Sequence, residues 1–193
     1  MTHKVGIYGG SFNPVHFGHV GLAKWVIENT DLDELWLMVS PNNPLKPANL
    51  LAPEGERLAA VSKAVKDIPH VKASDFEFSL PRPSYTANTL RELQKAYPDT
   101  EFTLIIGEDN IAIFDRWREY EFILANFRIF VYPRRENLSD EDLTAKRSNS
   151  PQDGLTTQWS DSVAVKEIRY LSGAPLFDIS STQIRNQQAK AYV

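Results

Sequence analysis

Two histidines three residues apart, His16 and His19, close the stretch Gly9-Gly10-Ser11-Phe12-Asn13-Pro14-Val15-His16-Phe17-Gly18-His19. An apolar run, Val5-Gly6-Ile7-Tyr8, precedes it and reads as a buried strand; Val20 to Ile27 follows and reads as a helix. A strand that passes through a Gly-rich turn into a helix presents backbone N–H groups and the positive end of a helix dipole, an arrangement suited to a phosphate. The histidines add donors that can hydrogen-bond phosphoryl oxygens while charge shifts between them. Their spacing puts both on one side of the helix start. The same spacing suits half of a zinc site. The chain has no cysteine and only His3 and His70 besides, so zinc would need carboxylates, and phosphate handling is the stronger reading. A turn in which the histidines merely cap a helix is the plainest alternative.

Strand and helix patterns alternate along the rest of the chain, as they must if such a turn is to sit at a sheet edge. Leu35 to Val39 reads as a strand, and Glu54 to Ile68 as a helix with apolar residues at Leu58, Val61, Val65 and Ile68. Val71 to Phe78 is strand-like; Thr86 to Tyr97 is a helix capped by Ser84 or Thr86 and stopped before Pro98. Phe102 to Ile106 is a buried strand ending at Gly107, a helical region follows, and Arg128 to Tyr132 is a further strand. Val163 to Leu171 and Pro175 to Ile179 are strand-like, and a last helix opens at Ser180 and Ser181. The expected fold is α/β, a mostly parallel sheet with helices on both faces. Loops after the strands then converge at one end, where such sheets bind ligands. The expected organisation is one domain over residues 1–193, with a long Pro-rich loop from Ser40 to Pro53 and a polar surface excursion at about 134–162.

The 193 residues carry a net charge of −4, with 42% hydrophobic and 11% aromatic content. That supports a core and leaves no basic footprint for non-specific nucleic-acid binding. With no cysteine there is no disulfide framework. Met1-Thr2-His3-Lys4 runs straight into a strand without a signal-peptide apolar region, and no run reaches transmembrane length, so a cytoplasmic protein away from membranes is expected.

The Gly9–His19 stretch resembles the signature of nucleotidyltransferases with a His-x-Gly-His motif, and Ile179-Ser180-Ser181-Thr182-Gln183-Ile184-Arg185 resembles that superfamily's second signature. Between them, Ser84-Tyr85-Thr86-Ala87-Asn88-Thr89-Leu90 and Gly107-Glu108-Asp109 through Trp117 resemble the bacterial nicotinate (nicotinamide) mononucleotide adenylyltransferases. The resemblance covers nearly the whole chain and implies a Rossmann-like nucleotidyltransferase fold. The implied reaction transfers AMP from ATP to nicotinate mononucleotide, giving deamido-NAD and pyrophosphate, with Mg²⁺ entering on the ATP.

The resemblance also implies roles. Gly9, Gly10, Ser11, Phe12, His16, His19, Gly107, Asp109, Ile179, Ser180, Ser181, Thr182 and Arg185 are expected around ATP. His16, His19, Lys46 and Arg185 are expected to act in catalysis. Lys46, Ser84, Tyr85, Thr86, Trp117 and Arg134 are expected at the acceptor or nucleotide, with no metal held by the protein itself. From the residues alone, Lys46 reads as a solvated lysine in Asn43-Pro44-Leu45-Lys46-Pro47, and Ser84 or Thr86 as a helix cap. Trp117 reads as core beside Phe114 and Phe122, and Asp109 as a helix cap. Glu56-Arg57 reads as a helix ion pair and Glu77 as a strand-face acid. Asn13 replaces the family's usual Asp, Leu45 its usual His, and the chain stops eight residues after Arg185, so oligomer contacts made by later helices are not assumed. Rival readings are a pantetheine-phosphate adenylyltransferase, nicotinamide mononucleotide as acceptor, and an inactive nucleotide sensor.

Overall fold

The structure, a computed structural model, describes residues 2–41, 51–134, 163–177 and 179–190, the last four as backbone only. Its elements in chain order are β1 (His3–Gly10), α1 (Phe17–Asn29), β2 (Glu34–Val39), α2 (Glu54–Val65), β3 (Val71–Ser74), α3 (Thr86–Ala96), β4 (Thr100–Gly107), α4 (Glu108–Ile111), α5 (Tyr120–Asn126), β5 (Arg128–Tyr132), β6 (Glu167–Tyr170) and α6 (Ser181–Lys190). Short 3₁₀ turns lie at Phe76–Ser79 and Phe114–Arg116. The six strands form one parallel sheet in the order β3-β2-β1-β4-β5-β6.

The order in which strands are laid down reverses at β1, with β2 and β3 added on one side and β4, β5 and β6 on the other, so the loops that follow β1 and β4 open a crevice there. Successive side chains point to opposite faces, and each face has its own core. Val5, Ile7, Trp36, Met38, Phe102, Leu104, Ile106, Ile129 and Val131 pack beneath α3, α4 and α5. Tyr8, Leu35, Leu37, Val39, Ile105 and Phe130 pack beneath α1 and α2. Helices therefore cover both faces, as the alternation of patterns implied.

Three expected strands are shortened or absent. Val71 to Phe78 is strand only to Ser74, whose Oγ accepts the Phe76 N–H at 3.3 Å as the chain turns into Phe76–Ser79. Val163 to Leu171 pairs only from Glu167 to Tyr170. The described part of Pro175 to Ile179 forms no strand, because its apolar side chains pack on a helix instead of joining a ladder. A Cβ at Gly21 would lie 2.3 Å from the Phe177 ring, and one at Gly18 would lie 3.0 Å from both Phe177 and Ile179. The glycines of α1 thus form the seat for the segment leading into α6. Lys46 and, apart from Arg134, the 134–162 excursion lie outside the described residues. Among the described residues no helix is long and apolar enough to cross a membrane.

Candidate active site

The turn after β1 is held in an unusual shape. Phe12 has φ of 44°, in the left-handed region that non-glycine residues rarely occupy. Its ring is buried and lies over Gly10, where a Cβ would meet it at 3.1 Å. Ser11 and Asn13 are buried as well. The Asn13 Oδ1 accepts the Ala52 N–H at 3.2 Å, so a neutral amide serves the contact that leads the chain into α2.

His16 is the N-cap residue of α1, and its N–H donates to His19 Nδ1 at 3.2 Å. Because Nδ1 accepts, a neutral His19 carries its proton on Nε2 and presents a donor on the far side of its ring. The two imidazoles stack with centroids 3.7 Å apart and planes 27° from parallel. The Phe12 ring meets His19 edge-on at 5.0 Å and fixes its plane. Burial, with the Arg134 charge nearby, lowers the His16 pKa to about 4, so His16 is neutral at physiological pH. Both its ring nitrogens are buried without a partner.

A cleft opens beside this pair. Tyr8, His16, Gly18, His19, Leu22, Tyr132, Pro133, Arg134, Pro175, Phe177 and Ile179 line it. Residues from the first signature, the end of β5 and the approach to the second signature meet there. On its wall the Arg134 Nη1 donates to Asp109 Oδ2 at 2.7 Å, while Asp109 Oδ1 is buried without a partner. This pair lies over the end of β4. A Cβ at Gly107 would come 2.3 Å from the Asp109 carboxylate and 3.1 Å from Arg134, so the glycine makes room for the ion pair. The Tyr8 and Tyr132 hydroxyls face each other at 3.5 Å, and burial raises both their pKa values. Neither tyrosine was singled out from sequence; each follows the apolar alternation of its strand, and only the cleft distinguishes it from core.

The second signature docks on the first. Ser180 Oγ accepts the Gln183 N–H at 3.2 Å and Gln183 Oε1 accepts the Ser180 N–H at 2.6 Å, a reciprocal cap on α6. Ser181 Oγ donates to the Pro14 carbonyl at 2.9 Å, and the Arg185 guanidinium donates to the Asn13 carbonyl. Arg185 also donates to Thr182 Oγ1 at 3.0 Å. These side chains are thus engaged with the turn after β1 and with one another, and Arg185 retains further N–H donors.

A second group lies at the start of α3. Arg118 sits 4.9 Å over the Tyr85 ring, which places the Trp117 segment against this helix start. Tyr85 is the N-cap residue and makes no side-chain cap bond, so the expected cap from Ser84 or Thr86 is absent. Ser84 Oγ is buried without a partner, as is Trp117 Nε1. The Trp117 ring meets Phe114 at 5.0 Å and packs on the core, so its ring is partly structural while its N–H is left over.

Glu77 and Arg57 depart from what their local sequence implies. Glu77 lies in the Phe76–Ser79 turn and not on a strand; it is buried, Thr89 Oγ1 donates to its Oε1 at 2.8 Å, and burial raises its pKa. Arg57 forms no ion pair with Glu56 and donates to backbone carbonyls instead. Among the described residues no three His, Asp or Glu side chains gather as a metal site.

The cytidylyltransferase-like family matches residues 7–187. A relative from Flavobacterium psychrophilum is 42% identical over 94% of this chain and 84% of its own length. One from Bacteroides fragilis is 42% identical over 96% and 82%. Both bear the name "Probable nicotinate-nucleotide adenylyltransferase". The fold is that of a solved Plasmodium falciparum nicotinic acid mononucleotide adenylyltransferase complexed with NaAD, at TM-score 0.68 and 16% identity over 95% of this chain and 83% of that one. On the family match and these relatives, the chain belongs to the cytidylyltransferase-like family, among its nicotinate-nucleotide adenylyltransferases.

Proposed function

We propose that the cleft joins nicotinate mononucleotide to the AMP of ATP by direct displacement. The chain is an adenylyltransferase of NAD synthesis, a reading carried by relatives of that name spanning nearly its full length. An oxygen of the acceptor's phosphate forms a bond to the α-phosphorus of ATP. The bond from that phosphorus to the bridging oxygen breaks, and pyrophosphate leaves. No covalent enzyme intermediate is needed, so the protein's contribution is placement and charge stabilisation.

In this reading Gly9, Gly10, Ser11 and Phe12 line the ATP phosphates. His19 donates from Nε2 to the transferring phosphoryl group, and its plane and tautomer are fixed by Phe12 and the His16 N–H. His16, neutral and unpartnered, supplies a second donor without repelling His19. Arg185 and the start of α6 neutralise the outer phosphates, and Lys46 adds a charge from the loop after β2. Gly107, Asp109 and Arg134 take the nucleoside side of the ligand. Mg²⁺ enters as part of the Mg-ATP substrate.

The acceptor's pyridine ring stacks on Trp117, and its carboxylate meets Ser84 Oγ and the uncapped start of α3, where Tyr85 and Thr86 present backbone and hydroxyl donors. The missing cap and the unpartnered Ser84 hydroxyl support an anion there. An amide in place of the carboxylate forfeits the charge, which favours the nicotinate over the nicotinamide form. The enzyme acts in the cytoplasm, on nucleotides and not on nucleic acid.

Pyrophosphate release from Mg-ATP with nicotinate mononucleotide, nicotinamide mononucleotide and 4′-phosphopantetheine in turn tests this reading. Release with the nicotinate acceptor at least tenfold above the others is expected. Release with phosphopantetheine alone overturns the substrate, and ATP binding without release in any case leaves a nucleotide sensor.

A further inference from the structure

Arg57, on α2, is 3% exposed, yet no carboxylate is bonded to it. The acid one turn earlier, Glu54, is engaged by Arg82 at 2.8 Å. The guanidinium instead meets four carbonyls from three stretches of chain. Nη1 donates to the Ser11 carbonyl at 2.7 Å and to the Ser40 carbonyl at 2.8 Å. Nη2 donates to the Pro41 carbonyl at 3.1 Å, and Nε to the Ala52 carbonyl at 2.9 Å. One side chain thus joins the turn after β1, the end of β2 and the entry to α2.

The bond to Ser11 has a directional consequence. The Ser11–Phe12 peptide is trans, so its C=O and N–H point to opposite sides. Drawing the Ser11 carbonyl inward to Arg57 turns the Phe12 N–H outward, away from α2. The same peptide leads into the left-handed Phe12, a conformation that persists only where its surroundings enforce it. A lysine would keep the charge but could not span four acceptors with a rigid planar fork.

We infer that Arg57 is the positioning residue of the phosphate turn: by holding the Ser11 carbonyl inward it sets the Phe12 N–H as a donor to the ATP phosphates. The inference rests on the phosphate reading of that turn, and its test separates the two. Inorganic tripolyphosphate is the probe, with binding followed by calorimetry and by the Phe12 amide resonance in ¹⁵N-labelled protein. If the wild-type protein does not bind tripolyphosphate, the phosphate reading fails and the inference falls with it. Where it binds, the Phe12 amide is expected to shift downfield; a Phe12 amide that does not move overturns the inference whether or not any variant folds. Arg57→Lys is expected to weaken tripolyphosphate and raise the KM for Mg-ATP by about 10- to 100-fold, the scale of an ångström-level misplacement. The KM for nicotinate mononucleotide should stay within about twofold, since among the described residues Arg57 bonds the Ser11, Ser40, Pro41 and Ala52 carbonyls and not Ser84, Tyr85, Thr86 or Trp117. In Arg57→Ala, ethylguanidine should restore part of the ATP affinity. Equal losses for both substrates, or a folded Arg57→Lys with wild-type ATP parameters, overturn the positioning role.

Discussion

The two ends of the parallel sheet treat charge in opposite ways. At the end where the strands begin, polar groups are paired. Arg128 donates twice to Asp31, at 2.9 and 3.1 Å, and once to Glu167 at 2.9 Å. Lys4 reaches Asp31 at 2.6 Å, and Lys166 pairs with Glu101 at 3.3 Å. At the end where the strands finish, His16, Asp109, Ser84 and Trp117 each keep a buried polar atom without a partner. Buried unpaired groups cost stability, and they concentrate where a ligand can supply what is missing. The described charges at one end are met within the protein and hold the sheet together; the other end keeps buried donors and acceptors over for a ligand.

That contrast breaks first at His19. His19→Ala should lower kcat by about a hundredfold or more, with ATP binding reduced less, because the donor acts on charge that develops in the transition state. Single-turnover kinetics alongside ATP titration would check it, and near-normal turnover would remove His19 from the chemistry. At the opposite end, Arg128→Met should cost about 1–3 kcal/mol in urea unfolding with both KM values unchanged. The figure stays below that for a fully buried pair because Asp31 and Glu167 are 42% and 43% exposed and can rehydrate. A change in KM would show that the two ends are not independent.

Ser84→Ala sharpens the comparison at smaller scale. It should leave the melting temperature unchanged or slightly raised, since it deletes a buried hydroxyl with no partner. It should raise the KM for nicotinate mononucleotide by about fivefold, the loss of one hydrogen bond to an anion. A drop in stability with an unaltered KM would assign Ser84 to the scaffold.

The smallest effects are in pH dependence, and their signs differ. Hydrogen bonds from Arg128, aided by Lys4, hold the Asp31 pKa below the ordinary carboxylate value. Its stabilisation is present above that ordinary value and is lost as pH falls toward the native one. Burial raises the Glu77 pKa, so the native state holds that proton more tightly and stability falls as pH rises through the interval above the ordinary glutamate value. Chemical denaturation across pH should show Asp31→Asn flattening the acid limb and Glu77→Gln flattening the limb above it. Identical profiles for the two variants would refute the assignment.

Much of this organisation was legible in the residues. Mainly apolar runs of four or five residues with glycine or proline close behind marked β1, β2, β4 and β5, and the two signatures marked segments that the fold brings together. The segment from Pro175 to Ile179 was misread because Phe177 and Ile179 show an alternation that suits a strand but serves packing on Gly18 and Gly21. Arg57 sits beside an obvious acid partner at Glu56, and nothing local signals that its guanidinium reaches carbonyls 16, 17 and 46 residues away as well as that of Ala52. Glu77 was placed on a strand because the apolar alternation of Phe76 and Phe78 continues through a tight turn. Local pattern sets elements; it does not reveal which buried donor meets which acceptor across the fold.

The bonds from Ser181 to Pro14 and from Arg185 to Asn13 tie together stretches 167 and 172 residues apart in sequence. The histidine turn therefore takes part of its rigidity from a distant helix, and a change that lifts α6 off the turn reaches the imidazole pair without breaking a single strand pairing.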